Sequence, residues 1–207
     1  NPLIIDLAFS QYRLALALSI LGSALIVGQR NKWAWVLVLV VPLIHTASLI
    51  FIFFYLFSRW ILIFDQKRAF RILKPRALAA LAGALMAVLI GPLREAVLTT
   101  VGDRRAEYSE LGSSLLYVSL WIAILLVLCM QRKEVNNNPI SLTTISILSL
   151  VAVGSVFGSY TTRLIAVAMP FTLVALKSVN PYWLRVVTTL CIFLYSLAQW
   201  VYWTGAL

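Results

Sequence analysis

The sequence predicts an all-α, polytopic transmembrane helix bundle of about seven membrane segments, each near the 20 residues a bilayer crossing needs. Three observations predict it. Hydrophobic residues make up 62% of the 207-residue chain and charged residues only 12%, whereas a soluble domain is about half apolar and a quarter charged. The apolar residues fall in long runs, more than one globular core of this length could hide. The basic residues, 17 Lys and Arg against 7 Asp and Glu, gather between those runs, as in loops held at an anionic leaflet. That distribution sets aside nucleic acid, which a formal charge of +10 would otherwise raise as a partner.

Each element follows from local signals. A first helix is expected from Ser10 to Val27, closed by Gly28 and the polar cluster Gln29-Arg30-Asn31-Lys32. The next apolar run, Trp33 to Phe57, carries Pro42 and His45 in its middle. Residues 58–76 hold Arg59, Lys67, Arg68, Arg71, Lys74 and Arg76, while Phe64, Ala69, Phe70 and Leu73 share another face. That stretch reads as an amphipathic helix on the cytoplasmic membrane surface. A third long run begins at Ala77 and continues past Gly91-Pro92 towards Val101, before the polar external loop 102–110. Then come Leu111 to Met130, a turn at Asn136-Asn137-Asn138-Pro139, Ile140 to Phe157, a turn at Gly158-Ser159-Tyr160, and Thr161 to Leu176. A turn over 177–181 leads to the last crossing, Trp183 to Trp203, whose ends are crowded by Tyr182, Trp200 and Tyr202, as interface anchors are. Cys129 and Cys191 lie within apolar runs with neither disulfide nor metal spacing. The chain opens at Asn1 without Met or a signal-peptide pattern, so residues 1–207 are expected to form a single transmembrane domain, the C-terminal part of something longer.

The run 33–57 admits two paths. Crossing once, it puts eleven basic residues on one side and six on the other. Folding back at Pro42–His45 as two half-helices, it puts twelve on the cytoplasmic side and five outside. The fold-back is preferred on charge, and because broken helices at membrane depth line cavities. It also sends Arg13, His45, the loop 102–110 and Arg163 to the external half.

Those residues are the candidates for chemistry. Arg13 and Arg163 each stand near a helix start; either could anchor at the interface or hold an anion, since guanidinium grips phosphate oxygens with two parallel bonds. His45 is the single histidine and is flanked by apolar sequence. It is either a packed imidazole bonded to a carbonyl or a functional group within the membrane. In the loop 102–110, Asp103 and Glu107 are the candidates for a general base, against the alternative of a solvated loop. The sequence holds no phosphate-binding glycine loop, paired acidic metal motif or nucleophile elbow. No cofactor or metal is expected, and the residues suit an anionic, lipid-linked substrate.

The segments Phe9-Ser10-Gln11-Tyr12-Arg13-Leu14-Ala15, Arg30-Asn31-Lys32 and Ile44-His45-Thr46-Ala47-Ser48, with Tyr160-Thr161-Thr162-Arg163 through Pro170, resemble the EpsG/Wzy-type polysaccharide polymerase family. Leu14 stands where that family often has Gln. The resemblance is firmest over residues 9–57. It implies a fold like that of the GT-C membrane glycosyltransferases and a multi-pass place in the bacterial inner membrane. The activity it implies is polymerisation of undecaprenyl-pyrophosphate-linked oligosaccharide repeats at the outer face, building a capsule, O-antigen or exopolysaccharide without metal. Under it, Arg13, Arg163 and Tyr160 would hold pyrophosphate, and His45, Asp103 and Glu107 would serve acceptor activation. The partners implied are the lipid-linked glycan, the bilayer and other polysaccharide-assembly proteins. The competing readings are a transporter or flippase for an anionic or lipid-linked substrate, and a structural subunit of a membrane complex.

Overall fold

The computed structural model describes residues 12–27, 34–45, 48–66, 74–93, 96, 99–100, 115–131, 137–157 and 161–203. All secondary structure among them is helical. Eight α-helices follow one another: α1 Tyr12–Val27, α2 Ala34–Ile44, α3 Ser48–Gln66, α4 Pro75–Val88, α5 Leu115–Met130, α6 Pro139–Gly154, α7 Thr161–Ala175 and α8 Tyr182–Trp203. A π-helical turn, Leu89–Leu93, extends α4 over Gly91-Pro92, and a 3-10 turn, Leu176–Ser178, extends α7. Three segments are long and apolar enough to cross a membrane: Ser48–Asp65, Pro75–Leu93 and Tyr182–Val201. The other helices are apolar but shorter.

Large apolar side chains cover the outside. Leu43 is 85% exposed, Leu39 75% and Phe193 62%, a surface that water penalises and hydrocarbon does not. On α8, Tyr182 and Trp183 mark one end and Trp200 the other. Eighteen residues of helix separate Tyr182 from Trp200, roughly 27 Å, close to the thickness of a hydrocarbon layer.

Helix α6 is the axis of the bundle. Every residue from 141 to 151 is buried, so this helix faces protein all round, and its hydroxyls are spent on neighbours. Ser146 donates to the Ala79 carbonyl at 2.8 Å and Ser149 to the Ala80 carbonyl at 2.8 Å, both on α4. Thr144 reaches the Phe171 carbonyl of α7 at 3.1 Å, Thr143 the Ser58 hydroxyl of α3 at 3.2 Å, and Ser141 pairs with Ser178 at 2.9 Å. Where lipid offers no partner, such bonds hold helices together alongside close packing of small residues. The closest packing is between α4 and α6. Ala79, Gly83 and Ala87 recur every fourth residue on α4, and a Cβ at Gly83 would collide with the Ser146 carbonyl. With Gly91 lying against Phe157 further along, the two helices run parallel.

The run 33–57 folds back. The helix stops at His45, whose N–H donates to the Val41 carbonyl at 3.2 Å. The His45 carbonyl then accepts both the N–H and the hydroxyl of buried Ser48, at 3.0 and 2.7 Å, as α3 begins. The rings of Trp35 and Tyr55 stack at 6.3 Å, and Arg59 lies over Trp35 at 5.9 Å. A straight helix would hold Trp35 and Tyr55 about 30 Å apart.

The amphipathic helix expected at 58–76 is corrected at both ends. Residues 58–66 continue α3, and Pro75 and Arg76 open α4; 67–73 lie outside the described residues. The aromatic series Phe53, Phe57, Trp60 and Phe64, with successive centroids 5.7, 5.7 and 4.5 Å apart, carries one helix through Ser58. Arg59 is exposed, with its guanidinium over the Trp35 ring. The second half of the fold-back is therefore a helix of 19 residues, not a half-helix.

Candidate functional site

Side-chain contacts fix which helix ends lie together. Asn138 caps α6 by accepting the Ile140 N–H at 2.9 Å, and its amide reaches Ser178 at 3.4 Å. Gln131, just past α5, accepts the Asn180 N–H at 3.1 Å, and Arg185 donates twice to the Val179 carbonyl, at 3.2 Å each. These bonds gather the end of α5, the start of α6, the end of α7 and the start of α8 into one capped end. Since α4 runs parallel to α6, its start belongs there too. The opposite, far half holds the end of α4 and the start of α7.

Ser58, in the later half of α3, meets Thr143 near the capped end, while Phe51 stacks on Phe171 at 6.2 Å. Because Thr144 and Phe171 are level, α3 crosses α6 and α7 at a steep inclination. Trp35, held by Tyr55 and Arg59, sets the start of α2 beside the later half of α3. Helix α1 packs along α2 and is joined to it by six residues, so it runs antiparallel and begins beside the turn at His45.

The sequence candidates fall as follows. Arg13 is the second residue of α1 and exposed; its Nε lies 3.3 Å from the Tyr12 hydroxyl and its guanidinium 5.8 Å from the Tyr12 ring. His45 is half-buried at the α2–α3 turn. Arg163 is in the first turn of α7, where a helix start favours anions; its side chain lies outside the described residues. Tyr160, Asp103 and Glu107 also lie outside them. Arg163, in the first turn of α7, thus lies in the half of the bundle opposite Lys74, Arg76, Lys177 and Arg185. Among the described residues, no three His, Cys, Asp or Glu side chains assemble as a cation site would require.

No protein-family model, curated protein or solved structure matches this chain. Its chemistry is therefore read from its own residues.

Three features were not singled out in the sequence. A groove of about 340 Å³ between α7 and α8 is lined by Met169, Leu173, Ile192, Phe193, Leu197 and Trp200, and contains none of the candidate residues. On the α5–α8 contact, Trp121 meets Tyr195 edge-on at 6.4 Å and the Gln199 amide donates to the Tyr195 hydroxyl at 3.1 Å. The Trp121 Nε1 and Gln199 Oε1 are buried there without a hydrogen-bond partner. The third feature is Arg76, whose Nη1 is likewise buried and unpartnered. Hydropathy carries no signal for any of these, since each depends on which helices meet.

The polarity of the bundle can be measured by labelling. In a Cys129→Ser, Cys191→Ser background, Asn31→Cys and Val135→Cys are expected to react with an impermeant maleimide from one face of the membrane, and Ala106→Cys from the other. Labelling of Asn31→Cys from the same face as Ala106→Cys would restore a single crossing at 33–57.

Proposed function

We propose that this chain belongs to a metal-independent membrane glycosyltransferase that extends a lipid-pyrophosphate-linked glycan at the outer face of a bacterial inner membrane. In this reading the bundle has about seven membrane segments, six of them crossings and one the α2–α3 fold-back, which enters and leaves by the same face. The observation that supports it is the polarity of the bundle. The start of α7, which carries Arg163, stands in the half away from the capped end, as do the end of α4 and the start of α5, and in this reading Arg13, His45, Asp103 and Glu107 face the same side. The greater positive charge lies at the capped end, and the positive-inside rule makes that end cytoplasmic.

The chemistry needed is short. The anomeric carbon–oxygen bond to the lipid pyrophosphate breaks and a new bond forms to the acceptor hydroxyl. Negative charge grows on the departing pyrophosphate, where fixed guanidinium groups at Arg13 and Arg163 stabilise it more in the transition state than in the ground state. The acceptor proton passes to a base, for which His45, Asp103 and Glu107 are the candidates. Tyr160 would position the pyrophosphate.

Chain extension and transport make different products. His45→Ala and Asp103→Ala membranes, supplied with lipid-linked repeats, are expected to bind substrate yet lose about a hundredfold in extension, the usual contribution of a general base. Full-length polymer from both variants would remove those residues from the mechanism. Movement of repeats across vesicles containing the wild-type protein, without new glycosidic bonds, would establish a flippase instead.

A further inference from the structure

Among the arginines whose side chains are described, three have visible employment. Arg13 lies against Tyr12, Arg59 against Trp35, and Arg185 both against Tyr182 and bonded to the Val179 carbonyl. Arg76 differs. Its Nη1 is buried without an acceptor, while the residue as a whole is part-exposed. A charged N–H removed from water and given no acceptor is more costly than a neutral one. Burial of one edge also pins the guanidinium plane, so that its remaining donors form a fixed fork.

The protein has little with which to neutralise this charge. Of its seven acidic residues, only Asp65 and Glu134 fall in segments leading to the capped end. Lys74, directly before α4, is exposed, and its own carbonyl accepts the N–H groups of Ala77 and Leu78. The local charge is therefore positive and solvent-facing. Depth supplies the rest. The candidate span Pro75–Leu93 covers 19 residues, about 28 Å, which matches a hydrocarbon layer. Arg76 sits one residue inside its edge, at the level where lipid phosphates are concentrated.

We propose that the start of α4 is a binding site for the phosphate of an anionic membrane lipid, held by the Arg76 fork with Lys74 beside it. The site is at the capped end, opposite the start of α7 that carries Arg163, and does not depend on the glycosyl-transfer reading. A lipid headgroup is favoured over free phosphate because exposed Leu81 and Leu85 continue along α4 from this position and would hold the acyl chains.

The test titrates the full-length protein in detergent with phosphatidylglycerol or phosphatidylcholine of the same acyl chains, with bound lipid counted by native mass spectrometry. Wild type is expected to prefer phosphatidylglycerol, and R76Q to weaken its binding about tenfold, the scale of one charge-assisted pair. Phosphatidylcholine binding should not change. R76K keeps the charge but not the fork and is expected to fall between the two, which preserves the test if R76Q does not fold. Equal phosphatidylglycerol binding by wild type and R76Q overturns the proposal. So does an equal loss in K177Q, which would mark unspecific attraction to the exposed basic end, or displacement of the lipid by inorganic phosphate alone, which would mark a free-anion site.

Discussion

Gly83→Ala is expected to destabilise the bundle by about 2 kcal/mol, and Gly83→Val by 3 or more, through overpacking at a contact with no slack. In an exposed helix, the same change from Gly to Ala stabilises by roughly 0.5–1 kcal/mol. Here the sign reverses because the obstacle is backbone. The added Cβ would strike the Ser146 carbonyl and lie 2.9 Å from the Ser149 Cβ, and a carbonyl within a helix cannot rotate aside. Relief requires α4 to move off α6, loosening the Ser146–Ala79 and Ser149–Ala80 bonds as it goes. Gly22 on α1 is the control: nothing lies within 4 Å of its would-be Cβ, so Gly22→Ala should be neutral or stabilising. Ser149→Ala gives the scale of one interhelical hydrogen bond, about 0.6 kcal/mol in membrane proteins. Unfolding midpoints in mixed detergent micelles would rank the four variants. A Gly83→Ala protein as stable as wild type would show that α4 and α6 do not pack this closely.

Arg163→Ala is expected to lower chain extension about a hundred- to a thousandfold, the usual loss when one donor to a developing anion is removed. The third residue of α7 sits where the helix dipole and free N–H groups already favour an anion. Its guanidinium would add two parallel bonds to pyrophosphate oxygens. Arg163→Lys should recover only part of the activity, because an ammonium is a point charge without the fork. Unchanged unfolding with lost activity would separate this role from packing. Polymer of undiminished length from Arg163→Ala membranes would show that the charge is only an interfacial anchor.

Much of the fold was legible in the sequence, for local reasons. Asn138-Pro139 caps α6, and the aromatic pair Tyr182-Trp183 opens α8; each is set by neighbours in sequence. The break at His45 was legible for the same reason, since Pro42 weakens the helix from within. What misled was charge. The surface helix was expected to begin at Ser58 and Arg59, yet Arg59 lies over a ring twenty-four positions earlier and Ser58 is buried against Thr143. The candidate site was legible only as a set of residue types. The return of α2 along α3, which brings Trp35 to Tyr55 and Arg59, is a matter of long-range contact.

By itself, the sequence determined that the chain is a helical bundle suited to a bilayer, because apolar content and run length are summed along the chain and need no partner. Only the tertiary structure decided which helix lies at the centre. Hydropathy cannot separate a helix facing lipid from one facing protein, as both environments favour apolar side chains. The hydroxyls of α6 find acceptors on α3, α4 and α7 only after those helices have assembled around it.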